Sequence, residues 1–333
     1  LARLIIGQIC IHACMAGMRM AAPLLALRQG YSAAAVGVLL ALFALTQVFL
    51  ALPAGRYADR HGLKRPVRYA VAAASVGAGL ALAWPVFAVL CVAALATGGA
   101  TGVATIALQR HVGRAAHDAT QLRQVFSWLA IGPAVSNFLG PFSAGLLIDH
   151  AGAPWGMPAG SDTGFRAAFA LMAALPLATW FWVRTAQELP PVIAASGPRP
   201  RAWDLVDDPR FRRLLIVNWL LSSCWDVHTF VVPLLGHERG LSASVIGTIL
   251  GAFAIAAAFI RVLIPLVAEH LREAVVVTGA MVVAALLFGV YPLMPTALLL
   301  GTCSVLLGFA LGSVQPMVMS MLHQITPAHR HGE

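Results

Sequence analysis

Residues 23–37 read PLLALRQGYSAAAVG, and 210 positions later residues 233–247 read PLLGHERGLSASVIG. Seven of the fifteen positions are identical without a gap: Pro, Leu, Leu, Gly, Ser, Ala and Gly. The same offset pairs Cys14 with Cys224, Phe43 with Phe253 and Asp59 with Glu269. It also carries Gly98 and Gly102 onto Gly308 and Gly312, so a G-x-x-x-G recurs. Single matches are common in apolar sequence, but a gap-free run with proline and glycines in register indicates a duplicated unit.

What is duplicated follows from composition. Of the 333 residues, 59% are hydrophobic and only 11% charged, with a mean hydropathy of +0.82. Soluble domains carry about 25% charged residues, so this chain cannot cover a water-facing surface of its size. The numbers exclude disorder, coiled coil and disulfide scaffold, and they predict an all-α polytopic membrane protein. Ten stretches reach the roughly 20 apolar residues a bilayer requires. They are 3–27, 33–54, 67–86, 88–108, 124–148, 166–183, 213–235, 243–267, 274–293 and 297–321. Six helices separate the two copies, so both begin on the same side, as in a parallel repeat about an axis along the membrane normal.

Charge assigns the sides. Sixteen of the 22 Lys and Arg fall in one alternate set of connections, among them Arg56, Arg60, Lys64, Arg65 and Arg68. The opposite set holds Arg28, Arg166 and Arg239. The positive-inside rule places the sixteen, and the N-terminus, in the cytoplasm. Only Lys64 is lysine; the arginine bias, with abundant Ala and Gly, suggests bacterial coding and hence the cytoplasmic (inner) membrane. Topology accounts for the basic excess, so no nucleic-acid partner is expected. Cys10, Cys14, Cys91, Cys224 and Cys303 lie in apolar runs without a C-x-x-C, which implies neither disulfide nor metal site. No cofactor is expected.

The longest connection, rich in Pro, Arg and Asp, reads as a cytoplasmic linker at 185–212. It joins a six-helix half, 1–184, to a second half, 213–333. The repeat projects the second half to about residue 394, so two further helices, 11 and 12, are expected beyond Glu333. HQITPAHRHGE, 323–333, accordingly reads as a connector.

The loop after the second stretch, GRYADRHGLKR, resembles motif A of the major facilitator superfamily in Gly55, Asp59, Arg60, Gly62, Lys64 and Arg65. In the fifth stretch, GPAVSNFLGPFSAG resembles antiporter motif C in Gly132, Gly140, Pro141 and Gly145. Ser136 and Ala144 stand where that motif has glycines. The fourth stretch, which reads CVAALATGGATGVATIAL over 91–108, lacks the arginine of motif B. PLVAEHLRE, 265–273, is a degenerate second motif A. The resemblance spans the chain and implies two pseudo-symmetric six-helix halves rocking in alternating access. Gly55 and Gly62 would allow a tight turn. Asp59 would accept hydrogen bonds from a neighbouring helix N-terminus; in the family this resembles a latch onto helix 11. Arg60, Lys64 and Arg65 serve equally as topology charges. Gly140, Pro141 and Gly145 read as kink and packing elements, and motif C is associated with export.

Ionisable groups at bilayer depth are costly and usually face a cavity. Gln8, His12, Met15 and Arg19 recur on one face of the first helix. The offset lays them on Asn218, Ser222, Trp225 and Thr229 of the seventh, with Asp226 alongside. In the superfamily the first and seventh helices line the central cavity. Arg19 could anchor a substrate and Asp226 carry a proton; a static Arg–Asp pair fits the residues as well. His12 reads as a hydrogen-bonded spectator, Trp225 as an aromatic wall or packing. His228 stands about 200° around the helix from Asp226. Arg261 could line the cavity or snorkel. Asp149 and His150, ending the fifth helix, are expected to be solvated.

The expected function is secondary transport of small organic molecules, with protons as coupling ion and export as direction, by a monomer. A proton symporter importing an organic anion is the alternative. A non-transporting sensor would need a soluble output domain. Enzyme signatures such as H-E-x-x-H, G-x-S-x-G or a Walker loop are absent.

Overall fold

A computed structural model describes residues 2–115, 119–189, 208–267 and 272–325. Among the described residues there are ten helices long and apolar enough to cross a membrane, and no strand. They are α1 (Ala2–Arg28), α2 (Ala33–His61), α3 (Lys64–Ala83), α4 (Phe87–Ala115) and α5 (Ala119–His150). The series continues with α6 (Asp162–Val183), α7 (Pro209–Glu238), α8 (Ala243–Val267), α9 (Glu273–Val290) and α10 (Ala297–Ile325). In hydrocarbon every backbone N–H and C=O must pair within the span, which leaves the helix as the only open-chain solution. Prolines at 23, 53, 133, 141, 176, 233 and 316 lie inside these helices, as membrane helices tolerate.

All ten expected spans occur, and several overrun their apolar stretch. α2 continues through the motif A residues to His61 instead of stopping near 54, and α4 runs to Ala115, carrying Arg110 and Arg114. Apolar length sets only the part of a helix inside hydrocarbon. At 1.5 Å per residue the 29 residues of α2 exceed the roughly 30 Å core, and its charged end projects beyond it. Pro209 likewise starts α7 inside the expected linker, of which residues 190–207 lie outside the described residues. So do Glu269 of the degenerate motif A and residues 326–333 of the expected connector, whose first residues, 323–325, belong to α10.

By internal contacts the chain forms two compact units, one of Leu1–Ile193 with Phe230–Gly251, the other of Ala194–Thr229 with Ala252–Glu333. In the first unit α1 is the central rod, packed by α4, α5 and α6. Three hydroxyls fasten it: Thr179 Oγ1 donates to the Gly7 carbonyl (2.8 Å), Ser136 Oγ to Ile9 (3.1 Å) and Thr101 Oγ1 to Ile11 (3.4 Å). Each carbonyl has a second lone pair to offer. In the second unit α9 packs on α10, and α10 on the later part of α8.

The 210 offset reappears as geometry. Gly30 and Gly240 both take positive φ, 84° and 66°. The Gly30 and Tyr31 amides donate to the carbonyls of Leu27 and Ala26; those of Gly240 and Leu241 donate to His237 and Gly236. Ser32 Oγ accepts from Ala35 N–H and Ser242 Oγ from Val245 N–H, the same cap on the next helix. Deeper in the helices, a Cβ on Gly98 would overlap the Phe43 carbonyl, and one on Gly308 the Phe253 carbonyl. Gly312 lies as tightly against the Ala257 backbone, and Gly102, at the equivalent position, faces Gln47 with more room, 3.3 Å from its side chain. The two G-x-x-x-G runs are the same close helix contact made twice.

Candidate functional site

The polar face of α1 is held deep in the first unit. Gln8 is 1% exposed and Met15 5%, while His12 and Arg19 are half-buried. Met15 Sδ accepts from Gln47 Nε2 of α2 (3.1 Å). Gln8 Oε1 and His12 Nδ1 are buried and make no hydrogen bond among the described residues. The hydroxyls around them do not share this condition: Thr97, Thr101, Ser136 and Thr179 each donate to a carbonyl. Leaving a buried polar atom unpaired costs about 1–3 kcal/mol, and these two atoms carry that cost where the neighbouring hydroxyls do not.

The matching face of α7 is more open. Asn218 and Trp225 are half-buried; Ser222 and Asp226 are exposed. Thr229 Oγ1 donates to the Asp226 carbonyl (2.9 Å). Behind this face the second unit builds an aromatic cluster. His228, fully buried, stacks on Phe253 at 3.9 Å and meets Tyr291 edge-on, while Trp225 sets its edge to Phe253 at 4.5 Å. Tyr291 Oη pairs with Ser304 Oγ (2.7 Å). Arg261 neither snorkels away nor stands alone: its guanidinium lies 5.7 Å over the Trp225 ring and its Nε donates to the Gly312 carbonyl (3.4 Å). The amphipathic pattern of α7 separated His228 from Asp226 but gave no sign that Phe253 and Tyr291 would enclose it.

Motif A resolves into parts. Gly55 is inside α2, not in the turn; a Cβ there would sit 3.0 Å from the Arg110 guanidinium, which crosses the bare backbone to pair with Asp59. The turn belongs to Gly62, whose φ of 72° suits glycine. Asp59 therefore has a cation of α4 as its partner. Arg60 and Arg65 are exposed. The Lys64 amide, the first of α3, donates to Glu188 Oε1 (3.0 Å), so a residue just past α6 caps α3 across the Gly62 turn. Asp59, Leu63, Ala107, Arg110, His111 and Arg114 line a small cleft beside it. Neither Arg110 nor Glu188 stood out in the sequence: one lay past the apolar stretch, the other in a linker without pattern.

Motif C divides its residues between two neighbours. Gly132 faces the Gln8 side chain and Gly140 the backbone at Ala13 and Gly17, both on α1. Ser136, in a glycine position of the motif, holds the Gly132 and Ile9 carbonyls. Gly145 and Pro141 face the first turns of α8 instead. Asp149, expected to be solvated, is half-buried: its two carboxylate oxygens accept from the Ala243 (3.1 Å) and Ser244 (2.6 Å) amides that open α8. No group of three or more metal-ligating side chains occurs among the described residues.

Ten membrane-length helices among the described residues, a repeat at an offset of 210, glycine seams between helices and a polar strip along α1 define a multi-pass membrane protein of transporter type. The chain belongs to the Major Facilitator Superfamily, whose family model matches residues 4–333. Solved structures agree on the fold. A nucleoside transporter NupG mutant is 15% identical with a TM-score of 0.74, covering 98% of this chain and 84% of that one. A bacterial homolog of the human lysosomal transporter Spinster gives 0.77 at 15% identity, over 98% and 76%. A D-xylose–proton symporter gives 0.70 at 15% identity, over 98% and 82%. No curated protein sequence matches the chain. Family and fold together make it a secondary transporter.

Proposed function

We propose that the protein exports small organic molecules in exchange for protons by alternating access, with the polar faces of α1 and α7 handling substrate and proton. The observation that carries this reading is the pair of unmatched buried polar atoms, Gln8 Oε1 and His12 Nδ1, on the face that also holds Arg19. Such atoms carry a cost that a polar ligand or water bound during the cycle would offset. Arg19 supplies a permanent charge for the polar end of a substrate. Asp226 is the carboxylate able to take up and release a proton, and Asn218, Ser222 and Trp225 supply hydrogen bonds and an aromatic surface on the same helix. Pro141 with the motif C glycines favours export as the direction; motif A, through Asp59, Gly62 and its basic residues, governs the cytoplasmic end. Arg19 also suits an organic anion, which makes proton-driven uptake of an anion the second reading.

The test is transport by the full chain in proteoliposomes with an imposed pH gradient, measured for wild type and Asp226→Asn. The expected outcome is substrate movement driven by the gradient in wild type, and retained substrate binding with loss of coupling in Asp226→Asn. Coupling that survives the substitution removes Asp226 from the mechanism. Flux toward the side from which protons leave supports export, and co-directional flux supports uptake.

A further inference from the structure

Part of motif A, without its basic residues, recurs within the first six helices. Residues 54–62, AGRYADRHG, share the pattern A-G-x-x-x-D-x-x-G with residues 144–152, AGLLIDHAG, 90 positions later. Both copies close a helix, α2 at His61 and α5 at His150. Three helices separate them, so α5 runs opposite to α2 and the second copy lies at the opposite end of the bundle.

The first glycine and the aspartate of the two copies also work alike. In the first, Gly55 bares the backbone and Asp59, one turn on, takes the Arg110 guanidinium. In the second, Gly145 bares the backbone and Asp149, one turn on, takes the amides of Ala243 and Ser244. A helix N-terminus presents about half a positive charge, so both aspartates hold a cationic group against a glycine. The seam below Asp149 is built for close approach from both sides. A Cβ on Gly145 would overlap the Ala243 carbonyl, one on Gly247 the Pro141 carbonyl, and one on Gly251 the Phe138 ring. These residues of α8, 243–251, belong to the same compact unit as α1–α6; from Ala252 onward α8 belongs to the other.

We propose that Gly145 and Asp149 form an inverted counterpart of Gly55 and Asp59, in which Asp149 latches the N-terminus of α8 and must release it for that end of the transporter to open. The idea rests on the alternating-access reading above. A carboxylate gives each amide its own oxygen and meets the helix dipole with a full charge; an amide side chain has a single acceptor oxygen and no charge.

The experiment uses the full chain with its five cysteines replaced by serine and two buried reporters: Ile246→Cys, at 0% exposure in the seam end of α8, and Leu63→Cys, at 1% exposure in the motif A turn. A water-soluble maleimide reports the opening of each site. Asp149→Asn is expected to raise labelling of Ile246→Cys about tenfold, with Leu63→Cys unchanged, and Asp149→Glu to stay within about twofold of the parent. Unchanged labelling of Ile246→Cys in Asp149→Asn overturns the latch. So does a parallel rise at both reporters, which would mean a general loss of packing. Labelling needs no substrate, so a latch that passes while no solute moves in proteoliposomes would sink the transport reading and leave the latch standing.

Discussion

At the scale of single residues, the turn after α2 shows how one position can carry two constraints. Gly62 needs its positive φ, and its missing Cβ leaves the space that Glu188 occupies while accepting from the Lys64 amide. Gly62→Ala should therefore cost more than Glu188→Ala. The first puts a Cβ on a backbone at φ 72°, ψ −157°, a region essentially reserved for glycine, at about 1–3 kcal/mol, and displaces the cap; the second loses only a cap, about 0.5–1 kcal/mol. Thermal unfolding of the purified variants checks the order, and an equal loss would mean that strain contributes nothing. Asp59 and Arg110 differ in kind, since their side chains are 34% and 45% exposed. A pair so placed is worth about 0–1 kcal/mol, so its role is better sought in motion than in stability. The aspartate was legible in the sequence from its motif. Its partner was not, because Arg110 lies beyond the apolar stretch that marked α4, where hydropathy gives no hint that the helix continues.

At the scale of helices, glycine placement decides which pairs approach closely. Gly98 on α4 lies against Phe43 of α2, and Gly308 on α10 against Phe253 of α8, while Gly79 on α3 has nothing within 4 Å of where a Cβ would be. Leucine at 98 or 308 must push two backbones apart. Overpacking of a few methylenes costs about 1–3 kcal/mol, and backbone overlap more. Gly98→Leu and Gly308→Leu are expected to abolish a monodisperse peak in size-exclusion chromatography, and Gly79→Leu to leave it intact. The sequence predicted the recurrence of the motif. It could not say which neighbour each glycine serves: Gly140 and Gly145, close together on one helix, face α1 and α8 respectively.

At the scale of the whole molecule, sidedness follows from where the basic residues fall. Trp155, 71% exposed in the connection after α5, is expected outside, and Arg60 at the end of α2 inside. In cells expressing the cysteine-free chain, an impermeant maleimide should label Trp155→Cys directly and Arg60→Cys only after permeabilisation; the reverse pattern would invert the topology. The ten described spans, their order, the recurrence at an offset of 210 and the polar face of α1 were all legible in the sequence. Each is a local or periodic property: apolar length against bilayer thickness, charge against a membrane boundary, and a helical repeat along one strip. The tertiary structure decided the partners. It gave Asp59 an arginine, Glu188 the start of α3, His228 an aromatic enclosure and Asp149 the start of α8. Partners come from residues far apart in the chain, and which of them meet depends on helix packing and on how far each helix runs past the hydrocarbon, neither of which a linear hydropathy pattern encodes.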